Sequence, residues 1–205
     1  FKADMAQLHP EQKSRREELA QELLLRGELL TLKLNAAAAK QAYQNAIEYF
    51  RYSAYAWFRY AAFLDEQNAD QDAVPAYQSA LYLYRQLADD EPQVYLPEVA
   101  RTLNSLGIVL LNEHQRPEAR KAMEEAVEVY RQLAKANPKV YLSHLAETLN
   151  ILGVVYSGEE RTEKARRAFE ESLAIYKDLY ARSPRHYHYK DDVDSLKYNL
   201  EQLDH

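Results

Sequence analysis

The chain has 205 residues, a net charge of −6 and 47% hydrophobic residues, enough for one ordinary domain or a short stacked array. Its acidic balance opposes a nucleic-acid backbone as partner, which would call for a basic face. Four glycines and seven prolines favour helix over a turn-rich β fold, and the lack of cysteine excludes a disulfide framework, a thiolate metal site and a cysteine nucleophile.

Zero cysteines suit a reducing cytosol, the expected compartment, and a periplasm tolerates them equally. No apolar run approaches the roughly 18 residues needed to span a bilayer, so no membrane partner is expected. The chain opens on Phe1 rather than Met. It is expected to be an excised piece of a larger protein, so the absence of a visible targeting segment decides nothing about one.

Residues 1–19 form an N-terminal extension, mixed in character up to residue 9, with a helix starting near Pro10. Leu19, Leu23, Leu30 and Leu34 keep helical spacing and predict its buried stripe. Asn35 opens a second helix, Ala36 to about Tyr52. From there the chain repeats itself. Thr102-Leu103-Asn104-Ser105-Leu106-Gly107 lies over Thr148-Leu149-Asn150-Ile151-Leu152-Gly153 at an offset of 46. The same step relates Tyr84-Arg85-Gln86-Leu87-Ala88 to Tyr130-Arg131-Gln132-Leu133-Ala134, whereas Ala39–Ala46 aligns with Ala73–Ala80 at an offset of 34. A repeat of this length with helical spacing inside it means a stacked array.

Pro97 and Pro117 fit first-turn positions, Ser143 and Thr162 are candidate N-caps, and Gly158 follows a helix end. Pro75 lies deep in its helix, near the fifth position, where it would distort the first turn. Pro117 to about Ala136 predicts some 30 Å of helix. After Pro184 a last helix, Asp191 to about Leu203, is apolar at Val193, Leu196, Leu200 and Leu203 and polar on its other face, as a terminal cap requires.

These residues resemble the tetratricopeptide repeat: a large apolar residue, Leu-Gly, an aromatic, then Ala with an aromatic four later and a closing Pro. The first copy gives Leu23, Gly27, Leu30, Ala39 and Tyr43; the second Trp57, Tyr60, Ala61, Leu64, Ala73 and Tyr77. The third gives Leu103, Leu106, Gly107, Leu110, Ala119, Met123 and Pro138; the fourth Leu149, Leu152, Gly153, Tyr156, Ala165, Phe169 and Pro184. Arg26 stands where the family has Leu, and Ser172 where the other copies have Ala46, Ala80 and Ala126. The extra residues of copies two to four are expected to lengthen the second helix and add a Pro-x-Val-Tyr-Leu connector, similar to the long repeats of kinesin light chains.

The resemblance implies an all-α fold, a right-handed α-solenoid of stacked antiparallel helix pairs: four hairpins over residues 20–53, 54–98, 99–144 and 145–188, then a capping helix over 189–205. It also implies close approach of Gly27, Ala61, Gly107 and Gly153 to the small Ala39, Ala73, Ala119 and Ala165.

The concave wall is expected to use residues one step off the buried stripe: Gln21, Leu24, Glu28 and Thr31; Tyr55, Phe58, Ala62 and Asp65; Arg101, Asn104, Ile108 and Leu111; Glu147, Asn150, Val154 and Ser157. Such a groove reads an extended or helical peptide. Asn104 and Asn150 stand out because an amide pairs with peptide backbone without reading side chains; the alternative is that each bonds the neighbouring repeat and sets its angle. Tyr55 and Phe58 are either exposed anchors or covered by the first hairpin. Only Arg101 supplies positive charge at these positions, too little for a clamp on a carboxylate tail. Tyr95, Tyr141 and Tyr187 are expected to plug gaps between lengthened helices. His186-Tyr187-His188 lacks a third metal ligand, and no catalytic triad, phosphate loop or carboxylate pair stands out. The expected function is therefore non-catalytic binding of a protein or peptide, without metal or cofactor, with homo-oligomeric self-assembly as the alternative.

Overall fold

A computed structural model describes residues 10–182 and 187–203, of which the side chains of residues 10, 13, 187 and 188 are left aside. The described residues form nine α-helices and no strand. They fall into two compact units, Phe1–Pro92 and Gln93–His205. The first holds α1 (Pro10–Leu32), α2 (Ala36–Tyr49), α3 (Ala54–Glu66) and α4 (Asp70–Asp90). The second holds α5 (Pro92–Asn112), α6 (Arg116–Ala136), α7 (Pro138–Gly158), α8 (Thr162–Arg182) and α9 (Tyr187–Gln202). Tightly turned helix pairs, the architecture expected from the repeat, build both units.

One turn closes every pair. Leu34, Asn68, His114 and Glu160 adopt positive φ of 55–59°. The next N–H then reaches back to the helix end: Asn35 to the Leu30 carbonyl at 2.9 Å, Ala69 to Leu64 at 2.9 Å, Gln115 to Leu110 at 2.8 Å and Arg161 to Tyr156 at 2.9 Å. This left-handed cap satisfies carbonyls that the helix cannot. The spacing of these four residues reproduces both sequence offsets, 34 once and 46 twice. In the first unit Asn35, in the first of these turns, accepts from the Ala38 N–H at 3.2 Å, and Ser53, in the turn before α3, accepts from Ala56 at 3.1 Å, capping α2 and α3.

In the first unit α1 packs on α2, α2 on α3 and α3 on α4. Its core is aromatic: Tyr43 meets Phe63 at 5.2 Å, and Phe58 meets Tyr77 edge-on at 5.7 Å. In the second unit α7 packs on both α6 and α8, and α9 on α8. There Met123, Leu149, Leu152, Phe169 and Tyr176 join one core with Val193 and Leu196 of the terminal helix.

Several expectations are corrected. In α1 the buried residues are Ala20, Leu24 and Gly27, so the stripe is rotated from the expected one. Leu34 lies beyond that helix at 94% exposure. The second helix ends at Tyr49, three residues early. The Pro-x-Val-Tyr-Leu segments are no connectors: Pro92 and Pro138 start α5 and α7, leaving Pro97 and Ser143 inside helices. Proline is tolerated at a helix start because its missing N–H is not needed there. The extra residues thus lengthen both helices of a pair. Thr162 is the first helical residue of α8 rather than its cap, Gly158 closes α7, and α9 begins four residues early. Pro75 leaves α4 continuous. α5 also reaches a mean hydropathy of 1.2 over 18 residues, enough by length and composition for a membrane span. Its buried Val99, Leu103, Leu106, Val109 and Leu110 account for that apolarity by packing.

The small-against-small reading needs a sharper form. Gly107 and Gly153 are buried, as are Ala119 and Ala165, but each glycine faces a large side chain one turn beyond the alanine. A Cβ on Gly153 would stand 2.4 Å from Phe169, on Gly107 2.7 Å from Met123, and on Gly27 2.9 Å from Tyr43. Glycine makes room for the aromatic-type position rather than for alanine.

Candidate functional site

The expected wall residues divide between the two units. In the first, Tyr55 is 48% exposed, while Phe58 is only 6% exposed. Of the two alternatives for Phe58, burial is the one present, and its ring meets Tyr77 of α4, the helix paired with α3. Leu24 is likewise buried, Glu28 pairs with Arg59 at 3.0 Å, and Asp65 accepts from the Tyr77 hydroxyl at 3.4 Å. Burial, followed by the charge of Asp70, raises the Asp65 carboxyl above its ordinary value. This wall is largely occupied by its own contacts.

The second unit differs. Thr148 Oγ1 lies 3.0 Å from Asn104 Oδ1, which sets α5 beside α7, and 2.8 Å from the His144 carbonyl. Asn199 Nδ2 donates to Asn150 Oδ1 at 3.3 Å, which sets α7 beside α9. Asn150 thus spends its oxygen on the neighbouring helix, Asn104 turns its own to a hydroxyl whose one proton the His144 carbonyl shares, and neither NH2 has a partner among the described residues. The expected spacing role is present, and half of each amide remains for something else.

Arg101 is exposed and pairs with Glu98 on its own helix. Glu147 is exposed, whereas Ile108 is half-buried against the core. Nearby, Tyr130 stacks on His144 at 5.6 Å, and its phenol is raised by burial, then by Glu147. Tyr141 lies 6.5 Å from His144 and packs on the core, as a filling role requires. Tyr95 is half-buried; the side chains of Tyr187 and His188, and all of His186 and Pro184, lie outside the described residues.

Toward the C-terminal ends of α5 and α7 the wall opens into a cleft of about 690 Å³. Leu111, Val154 and Phe169 supply its apolar lining, Asn112, Ser157, Asn199 and Gln202 its neutral polar groups, and His114 and Arg116 its basic side. No carboxylate lines it. Leu111, Val154 and Ser157 were legible as wall positions. His114 and Arg116 were not, since they sit in the turn and at the start of α6 rather than on the first helix of the pair, nor were Asn199 and Gln202, which come from the terminal helix. The Arg116 guanidinium lies over Gly158, where a Cβ would stand 2.9 Å from Nε.

The outer helices carry a different surface. Arg120 bridges Glu124 at 3.2 Å and Glu159 at 3.0 Å, Arg131 bridges Glu171 at 3.0 Å, and Tyr156 donates to Glu124 at 2.7 Å. Burial and that carboxylate push the Tyr156 phenol up to about 12. These charges satisfy one another. No cluster of three or more His, Asp or Glu side chains suited to a metal occurs among the described residues.

A profile of the tetratricopeptide repeat family matches residues 98–178. Among solved structures, the chain is similar to BtubC (BKLC) from P. vanneervenii, with a TM-score of 0.66 at 17% identity over 94% of this chain and 81% of that one. It is similar to MamA, with a TM-score of 0.59 at 14% identity over 91% and 90%, and to Pseudomonas aeruginosa pilF, with 0.57 at 18% over 90% and 76%. At such identities the likeness is one of fold. No curated protein matches the sequence.

Proposed function

We propose that the second unit, whose residues 98–178 match the tetratricopeptide-repeat family model, binds an extended segment of a protein partner along α5, α7 and α9, in keeping with the protein-interaction and scaffold role that such repeats generally serve. The observation that carries this reading is the pair Asn104 and Asn150. On adjacent helices, in the same register, each offers an NH2 whose oxygen is already held. Two fixed donors suit the carbonyls of an extended peptide, which repeat at a regular rise. The neighbouring cleft supports the same partner: its apolar lining takes a side chain, and Arg116 with no lining carboxylate favours an acidic residue beside it. Nothing in this arrangement calls for a metal or cofactor.

Peptides selected from a random library on the folded protein provide the test. By fluorescence anisotropy, Val154→Glu should weaken the selected peptide about tenfold or more, and Asn150→Ala more mildly, whereas Glu171→Lys on α8 should leave it unchanged. Equal affinity for all three variants would overturn the assignment.

Self-assembly remains a second reading on one observation. Leu25, Leu29 and Leu32 form a row on α1 with exposures of 61%, 58% and 80%. Sedimentation at two concentrations separates the readings: a monomer at both disposes of assembly, and a dimer abolished by Leu29→Lys supports it.

A further inference from the structure

The first unit carries a cleft of about 610 Å³ between the α2–α3 turn, α3 and α4, lined by Arg51, Tyr52, Trp57, Pro75, Gln78 and Tyr82 among others. It lies outside every wall position considered above. The copies of the repeat serve as controls for one another. At the positions of Pro75, Gln78, Ser79 and Tyr82, the third copy has Lys121, Glu124, Glu125 and Glu128, and the fourth has Arg167, Glu170, Glu171 and Ala174. The fold is therefore built equally well with charges on this face. The first copy, with Gln41, Gln44, Asn45 and Glu48, is also largely uncharged here, but only the second places a proline and an aromatic ring on this face, and it leaves Tyr82 58% exposed. Trp57 likewise stands where the other copies have Leu103 and Leu149.

The chemistry of the lining narrows the ligand. The Trp57 indole N–H donates to the Arg51 carbonyl at 2.8 Å, so the ring is fixed as a wall with its donor used. The Arg51 guanidinium lies over the Tyr52 ring at 5.2 Å and has no ion pair among the described residues. It is the only formal charge in the lining, which argues against a cationic ligand and for an acidic one. Ring faces with a few outward donors, Gln78 and Tyr82, match a polyproline II segment. That conformation makes no internal hydrogen bonds, presents its carbonyls, and needs no acceptor where proline replaces an N–H. We propose that the Tyr52–Trp57–Tyr82 cleft binds a proline-rich peptide segment bearing an acidic residue, independently of the binding proposed for the second unit.

Trp57 is the only tryptophan in the chain and so reports on the cleft directly. The folded full chain is titrated with an acetylated Pro-Pro-Glu-Pro-Pro-Pro amide while tryptophan emission is followed. A saturable change is expected. Replacing the peptide's glutamate by lysine, or introducing Arg51→Gln, should weaken it several-fold, and replacing its prolines by alanines about tenfold or more. Tyr82→Glu installs the residue that the third copy carries at this position, so it should keep the helical circular dichroism and abolish the response; Asn150→Ala should leave it intact. No saturable change, equal binding of the alanine peptide, or a response that survives Tyr82→Glu would overturn the proposal.

Discussion

The Phe169 ring fills the space that a Cβ on Gly153 would take, and Met123 does the same less tightly at Gly107. Replacing a mid-helix glycine by alanine gains about 1 kcal/mol of helix propensity, and overfilling a packed site costs about 1–3 kcal/mol. The balance differs between the two. Gly153→Ala meets a rigid ring and should destabilise by about 1–2 kcal/mol, whereas Gly107→Ala meets the end of a flexible thioether and should be close to neutral; denaturant titration of both variants checks the difference. Leu34 offers the opposite case. It holds φ 56° at 94% exposure, so the leucine carries the left-handed penalty with little burial in return. Leu34→Gly should stabilise by about 1 kcal/mol. Asp65 belongs to this scale too. Its raised carboxyl marks a charge the folded state resists, first through burial and then through Asp70. The penalty is present above the folded pKa and disappears as pH falls through it. Asp65→Asn should therefore raise the melting temperature at neutral pH, and the advantage should vanish in acid. None of these residues announced its environment in the sequence: glycine and alanine were legible as a close-packing signal, but which partner filled the space depended on χ angles.

Helix pairs were legible because their turns and buried stripes recur at fixed offsets. Their ends were less so. Pro92 and Pro138 read equally as loop residues and as helix starts, and only the packing of the following turn decides between them. α1 failed in register because leucine stands at almost every candidate position from Leu19 to Leu34, so spacing alone could not choose the buried face. Between α5 and α7 the decisive contact is Thr148 with Asn104. A net hydrogen bond contributes about 1 kcal/mol, and an orphaned buried group costs more. Thr148→Val should destabilise by about 1–2 kcal/mol, and combining it with Asn104→Leu should recover part of that loss, which a double-mutant cycle in urea measures. The equal recurrence of Asn104 and Asn150 made both candidate roles legible; the structure adds that the oxygen serves the neighbour while the NH2 does not.

Each unit has its own core, and each core is rich in phenols. Tyr130 and Tyr176 are held protonated by burial, and Tyr156 is pushed up to about 12 by burial and Glu124. An unfolded tyrosine ionises near pH 10. A folded value above that contributes stability that is complete below pH 10 and is lost as pH rises through the folded value. Melting temperature should hold up to about pH 10 and then fall steeply toward pH 12, with Tyr156→Phe blunting part of the decline. The proposed binding surface was legible in outline: wall positions on α5 and α7 followed from the repeat, whereas His114 and Arg116 lie off the first helix of their pair and Asn199 and Gln202 lie on α9, beyond the last copy. The central claim is that a partner's backbone lies along α5, α7 and α9. Chemical-shift mapping of a selected peptide on the isotope-labelled protein tests it most directly. Perturbations should concentrate at Asn104, Leu111, Asn150, Val154, Ser157 and Asn199; perturbations confined to Glu128 and Glu171 on the outer helices, or to the first unit, would contradict it.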